Sequence, residues 1–154
     1  MPASDLGFGG EETFTARPEQ LFALLTDLES LPRTIPDLVF SRRVDERTLE
    51  CVVRPGVSFL RGMLRLTISV EALKPTESAA LRLVARGIGA ELAVESRMQL
   101  AAVQADPAST RLTWSANVVD LKGLVATLSR SLIAAAAEKQ IQATWLRVRE
   151  QLEA

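Results

Sequence analysis

The sequence contains no histidine and no tyrosine, and these absences remove most familiar catalytic designs. Without an imidazole, neither a Ser-His-Asp triad nor a Cys-His pair can activate a nucleophile, and a histidine-bearing catalytic zinc site cannot form. The only cysteine, Cys51, excludes an intrachain disulfide and favours a reducing, cytoplasmic location. We therefore expect no catalytic residue, no metal site and no cofactor.

Long apolar runs are also missing. A membrane-spanning helix takes about 20 predominantly apolar residues. The longest candidate, residues 121–137, is interrupted by Lys122 and Arg130. Residues 1–10 lack the basic and apolar regions of a secretory signal. The net charge of −1 gives no electrostatic reason to expect nucleic acid as a partner. A length of 154 residues, 47% of them apolar, predicts one globular domain over residues 1–154.

Hydrophobic periodicity predicts the secondary structure. A first strand is predicted over residues 11–16, and Pro18, a residue favoured at helix starts, begins a helix with helical leucine spacing. A second short helix or turn falls within residues 29–37. From 38 to 120, apolar residues recur at every second position in six segments separated by turn residues, which predicts six strands. Good helix formers from about 122 to 153 predict a long final helix.

These elements predict an α+β fold, in which a curved, seven-stranded antiparallel sheet wraps around the long C-terminal helix. Two short helices follow the first strand. A sheet with one apolar face needs a cover, and only the last helix is long enough to supply it.

The predicted final helix carries two apolar groups about 180° apart around its axis. They are Leu121, Val125, Leu128 and Leu132, and Ile141, Trp145, Val148 and Leu152. Placing the second group in the core turns small residues of the N-terminal half towards the sheet, which predicts a cavity there. The first group would then form an outward patch that docks on an oxidoreductase partner or a membrane surface. A kink near 134–137, or a later helix start, would instead put both groups into an ordinary core.

Several segments match a known pattern. Residues 14–27 begin with an aromatic residue, continue into the Pro18-Glu19 helix start and end in Leu-x-Asp at Asp27; a proline-containing segment, 31–36, follows. Residues 60–64 contain a glycine at a strand start, and residues 121–124 follow the last strand, which holds Trp114. The chain thereby resembles the START/Bet v 1-like superfamily (polyketide cyclase and lipid transport, SRPBCC), most closely the family of the carbon monoxide dehydrogenase G subunit. It departs from the family's Pro-Gly at Pro36-Asp37.

This resemblance implies a helix-grip fold with a cavity between sheet and helix that binds a lipid-like or quinone-like molecule. It implies a carrier or accessory protein that serves a molybdenum hydroxylase such as carbon monoxide dehydrogenase. The implied location is the cytoplasm, including the periphery of the membrane. Two alternatives stay open: a polyketide cyclase or aromatase-like enzyme on the same fold, and a membrane- or partner-docking module without a ligand.

The candidate ligand-binding residues lie on the predicted inner face of the sheet and on the helix. Trp114 fits either core packing or the cavity wall, and the Ser96 hydroxyl could orient a ligand's polar head or bond a local carbonyl. Arg130 or Arg42 could contact a ligand carbonyl or carboxylate. The full set is Phe40, Val53, Phe59, Leu66, Ile68, Leu83, Ser96, Met98, Trp114, Ala116, Thr127, Arg130 and Ala134.

Overall fold

The structure, a computed structural model, describes residues 6–56 and 62–153, with only the backbone of Pro107. Seven strands form one antiparallel sheet in the order β1-β7-β6-β5-β4-β3-β2, so that β1 and β2 are its edges. The strands are β1 (Gly7–Phe14), β2 (Leu38–Arg43), β3 (Thr48–Val53), β4 (Leu64–Lys74), β5 (Ser78–Gly87), β6 (Ala90–Val103) and β7 (Asp106–Gly123).

Two α-helices and two short 3₁₀ helices complete the described chain. Helix α1 (Pro18–Thr26) and a 3₁₀ helix (Leu31–Thr34) connect β1 to β2, while a second 3₁₀ helix (Leu124–Thr127) precedes the long helix α2 (Arg130–Glu153). The predicted α+β architecture is confirmed, including the curved seven-stranded sheet, the two short helices after β1 and the C-terminal helix.

The last helix begins later than residue 122, the predicted start. Strand β7 continues to Gly123 because its final residues pair with the first residues of β6, and Leu124 then donates its backbone N–H to the Gly89 carbonyl (2.8 Å). Helix α2 starts only after Ser129, whose side-chain oxygen accepts the Leu132 N–H (3.2 Å), as at a typical N-cap. Residues 121–127 therefore do not form an α-helix, although several of their side chains favour one. Strand pairing and the glycine that ends the strand determine their structure instead.

The predicted outward patch is consequently wrong. Leu121 lies on β7 and Leu128 precedes α2, and both pack against the core. Val125 is buried in the short 3₁₀ helix, and only Leu132 is exposed. The spacing of the apolar residues alone could not distinguish a late helix start from a long straight helix. Because α2 starts late, three of the four residues pack inside the protein.

The core fills the space between the inner sheet face, α1 and the C-terminal half of α2. Leucines at helical spacing bury the inner side of α1, and the buried Thr110 hydroxyl on β7 donates to the Ala16 carbonyl (2.6 Å), fixing the start of that helix to the sheet. From α2, Trp145 and Val148 are buried. No helix among the described residues combines the length and apolarity needed to cross a membrane.

Asp37 occupies the position where the resembled family has glycine, and its φ of 59° explains that preference. A left-handed backbone suits glycine best, although aspartate tolerates it better than most residues. The Asp37 carboxylate also accepts the backbone N–H of Gly56 (3.3 Å), which ties the start of β2 to the segment after β3.

Gly123→Ala is expected to destabilise the protein. Gly123 has φ 71° and ψ −143°, and an added Cβ would overlap the Gly89 carbonyl. Backbone strain alone costs about 1–3 kcal/mol, and the overlap adds to it, so urea unfolding should show a clear drop in the midpoint. Gly89→Ala is the matched control: it shares a positive φ of 72° but meets no described atom within 4 Å. Equal losses in the two variants would contradict the overlap.

Cys51 is expected to be inert towards thiol reagents in the folded protein. Burial on the inner face of β3 raises the pKa of its thiol from the ordinary 9.0 to about 11. Because the folded pKa is the higher one, its contribution to stability is complete below pH 9.0 and is lost as the pH rises through about 11. Labelling with a disulfide reagent at about pH 8 should await unfolding, and Cys51→Val should remove this alkaline component. Rapid labelling of the native protein would contradict the burial.

Candidate functional site

A partly open apolar surface lies on the inner face of β5, β6 and β7. The side chains of Leu83, Met98 and Trp114 face the helix side, yet they are only partly buried. Ser96 and Ala116 sit opposite each other on β6 and β7 and are likewise partly buried. Side chains at inner positions of central strands are normally fully buried beneath the layer that packs on the sheet. Their residual exposure therefore shows that the cover over these positions is incomplete.

The same face is closed on the other half of the sheet. Val53, Leu66 and Ile68 on β3 and β4 are each less than a tenth exposed. The predicted site thus divides into two parts: the β3–β4 residues belong to the packed core, and the β5–β7 residues line the open surface. On β7 the partly buried positions of this surface are Trp114 and Ala116, whereas Val118 further along the strand is buried.

Small side chains lie on one side of the N-terminal half of α2. At 100° per residue, Ala134 and Ala137 fall on the side of α2 that holds the buried Trp145 and Val148. Both alanines are partly buried, whereas the neighbouring Ala135 is exposed. The helical phase and the partial burial of these two alanines agree with the prediction that small residues of the N-terminal half face the sheet, which stays a prediction.

The C-terminal half of α2 is fixed by an aromatic cluster. The Trp145 ring lies 5.9 Å from Phe14 and 5.7 Å from Trp114, between centroids. Gly10 on β1 makes room for this arrangement, because a Cβ there would come within 3.2 Å of the Trp114 indole nitrogen. Offset or tilted aromatic pairs add to the stabilisation from burial alone.

Arg149 completes this anchor from the helix side. Its guanidinium donates to the Glu12 carboxylate (3.0 Å) and lies 4.6 Å from the centroid of the Phe14 ring. Glu12 belongs to the inner register of β1, so the ion pair neutralises two charges at the edge of the sheet–helix layer. The helix is thereby tied to β1 at one end of the open surface.

Few polar groups face the open surface. The Ser96 hydroxyl donates to the Leu81 carbonyl (3.2 Å), which is the second of the two roles considered for it. The indole N–H groups of Trp114 and Trp145 are shielded and have no hydrogen-bond partner among the described residues. No group of three or more histidine, cysteine, aspartate or glutamate side chains in the described ranges is arranged to hold a metal ion.

Four of the candidate residues lie elsewhere than predicted, or outside the description. A bulge between Leu38 and Phe40 shifts the register of β2, so that Phe40 pairs with Val52 on the outer face and is 57% exposed. Thr127 lies in the 3₁₀ helix, exposed, with its hydroxyl donating to the Leu124 carbonyl (2.7 Å). Arg130 is the exposed first residue of α2, and Phe59 lies outside the described residues.

Arg42 shares the outward register of Phe40 on the edge strand. Its guanidinium pairs with Glu50 on β3 (2.6 Å) and is mostly exposed, so it does not reach the inner face. The predicted ligand contact by Arg42 is therefore wrong, because the same bulge that turns Phe40 outwards turns Arg42 outwards too.

Sequence reasoning missed several residues of the inner surface. Phe8 and Gly10 lie opposite Ala116 and Trp114, because β1 begins at Gly7 rather than at residue 11. Gly10 and Glu12 interrupt the apolar alternation there and hide the strand. Leu92 lies in the predicted apolar register of β6. That register was the signal by which it could have been added to the candidate site residues.

Two shallow depressions lie at the end of the sheet that holds the β4–β5 turn, and one of them reaches Met98 at the border of this surface. The larger, of about 300 Å³, is lined by residues of the β4–β5 turn and by the neighbouring parts of β6 and β7. Lys74, Glu77 and Arg111 contribute charged side chains to it. Met98 is the only predicted site residue that borders either depression.

Comparison with known proteins extends these observations. A conserved protein from Geobacillus kaustophilus superposes with a TM-score of 0.87 at 18% identity, over 96% of this chain and 95% of that one. A START superfamily protein from Mycobacterium smegmatis gives a TM-score of 0.73 at 13% identity, over 96% and 97% of the two chains. Ara h 8.0201 gives 0.68 at 16%, again over 96% and 97%. These similarities show the shared START/Bet v 1-like fold.

No match is found among curated proteins. The family model for CoxG, the G subunit of carbon monoxide dehydrogenase, by contrast matches residues 10–153. That range runs from β1, through every strand of the sheet, to the last turn of α2. The chain therefore belongs to the CoxG family, which is named after the carbon monoxide dehydrogenase G subunit.

Proposed function

We propose that the protein binds a hydrophobic small molecule, lipid-like or quinone-like, between the sheet and the N-terminal half of α2. The observation that carries this proposal is the incomplete burial of Leu83, Met98 and Trp114 beneath the helix. Folding leaves apolar surface there that water solvates poorly, and a ligand would complete its burial at about 25 cal/mol per Å².

The composition of the surface supports a largely apolar ligand, because its walls are mainly aliphatic and aromatic. The family and the fold both favour hydrophobic ligand binding. Val53, Leu66 and Ile68 then support the site from the packed side, while Leu83, Ser96, Met98, Trp114, Ala116 and Ala134 line it.

The role that follows is that of a carrier or accessory protein. The name of the family points to an oxidoreductase, carbon monoxide dehydrogenase or a related molybdenum hydroxylase, as the partner that receives or supplies the ligand. The polar side chains named above already have partners. The Ser96 hydroxyl donates to a backbone carbonyl, and Glu12 forms an ion pair with Arg149. The described inner face therefore offers no acid–base pair that would favour the cyclase alternative.

The direct test is native mass spectrometry of protein purified from its own host. A co-purifying lipophilic mass supports the carrier role. A ligand-free mass, together with no binding of a fatty acid or a short-chain naphthoquinone in vitro, would refute it.

Ala134→Phe is expected to weaken binding of a short-chain naphthoquinone by about 10-fold or more, because a phenyl ring would fill the space that the ligand needs. Binding can be followed by quenching of tryptophan fluorescence, since both tryptophans of the chain, Trp114 and Trp145, lie in the cluster beside the site. The control is Ala135→Phe, the same change at the adjacent exposed position. Equal affinities for the two variants would place the ligand elsewhere.

A further inference from the structure

Trp114 carries a hydrogen-bond donor without a partner inside the proposed ligand site. Its indole N–H is shielded and has no acceptor among the described residues, although the side chain as a whole is only partly buried. A buried indole N–H usually finds an acceptor, because a donor left without one loses the hydrogen bond that water supplied in the unfolded chain. In a site that binds a ligand, an unpartnered donor indicates an acceptor on that ligand.

The residues around Trp114 on the inner face provide no strong acceptor. Its neighbours on the adjacent strands are Gly10 of β1 and Met98 of β6, and the inner positions on either side of it along β7 are Leu112 and Ala116. The thioether of Met98 is a weak acceptor, and the other three residues have no polar side-chain atom. The described inner face therefore leaves this donor unsatisfied.

Gly10 leaves the nitrogen edge of the indole without a side chain beside it. A Cβ at this position would lie 3.2 Å from the indole nitrogen, so that the nitrogen faces the glycine. The next inner positions on β1 are Phe8 and Glu12, both partly buried, whereas Gly10 is exposed. The inner row of side chains on β1 thus has a gap directly beside the Trp114 nitrogen.

The charges near Trp114 favour a neutral acceptor over a carboxylate. Arg149 is the cation in contact with the aromatic cluster, and its guanidinium already donates to Glu12 (3.0 Å) and lies 4.6 Å from the centroid of the Phe14 ring. A carboxylate that leaves water needs a free cation, and Glu12 would repel it. A ketone, quinone or ester carbonyl needs only a donor, which the indole supplies.

We propose that the Trp114 indole N–H donates a hydrogen bond to a neutral carbonyl group of the ligand and so fixes which end of the ligand lies beside β1. This inference rests on the proposed function and adds a class of ligand to it: an apolar molecule with a ketone, quinone or ester carbonyl, as opposed to a pure hydrocarbon or an ionised fatty acid. The carbonyl end lies beside Trp114, and the apolar remainder covers Leu83 and Met98.

The test compares two ligands of the same shape by isothermal titration calorimetry. Menadione is a naphthoquinone, and methylnaphthalene is the hydrocarbon with the same ring skeleton and methyl group. Trp114→Phe is expected to reduce the ratio of the menadione affinity to the methylnaphthalene affinity by about 5-fold or more. Phenylalanine keeps an aromatic ring but lacks the donor, and its smaller ring area affects both ligands alike. An unchanged ratio would overturn the proposal.

A second measurement uses the unsubstituted protein and does not depend on how the variant folds. The chain has two tryptophans, so a proton–nitrogen correlation NMR spectrum contains two indole signals. A nuclear Overhauser contact with the Gly10 α-protons identifies that of Trp114. This signal should move further downfield with menadione than with methylnaphthalene, because ring-current effects are similar and only menadione accepts a hydrogen bond. Equal movement, or movement of the Trp145 signal alone, would contradict the assigned donor.

Further outcomes separate this inference from the proposed function. Ionised decanoate should bind more weakly than its methyl ester at about pH 8, and tighter binding of decanoate would overturn the neutral class of ligand. If menadione and methylnaphthalene bind with equal affinity, hydrophobic ligand binding stands and the carbonyl contact is refuted. If neither compound binds, the proposed function and this inference fail together.

Discussion

The packing of Trp145 against Phe14 and Trp114 is the interaction on which the rest of the structure depends. It joins α2 to β1 and β7, and the Arg149–Glu12 ion pair lies beside it. Without this contact the long helix would have no large buried side chain from its C-terminal half apart from Val148. The aromatic cluster and the ion pair therefore fix the C-terminal half of α2 to the sheet.

The inner face of the sheet has a closed part and a partly open part. On β3 and β4 the inner face is closed and contributes ordinary hydrophobic stability. On β5 to β7 the same alternation of residues produces a surface whose burial is left incomplete.

The sequence predicted the fold well, because strand alternation and helix spacing are local signals that this fold obeys almost throughout. Its errors occur where a single residue changes the register or ends an element. One extra residue near Val39 turns Phe40 and Arg42 outwards, and no pattern in β2 announces that bulge. Gly123 ends β7 and delays α2, although the residues around it are good helix formers.

The candidate site could be predicted only in part for the same reason. Residues on long regular strands, such as Leu83 and Met98, are on the inner face as expected. Residues near element ends, such as Thr127, depend on where the helix starts, which is a tertiary property. The incomplete burial that defines the site is a property of two facing layers, and a sequence can indicate it only through the small side chains of α2.

The left-handed backbone at Asp37 couples two opposing effects on stability. Its left-handed conformation persists with a side chain that tolerates it less well than glycine, yet that side chain gains a hydrogen bond to the segment after β3. A backbone conformation that disfavours most side chains is thus coupled to a hydrogen bond between two neighbouring connections. A glycine at this position would ease the backbone and lose that bond, so the two effects on the stability of this end of the sheet oppose each other.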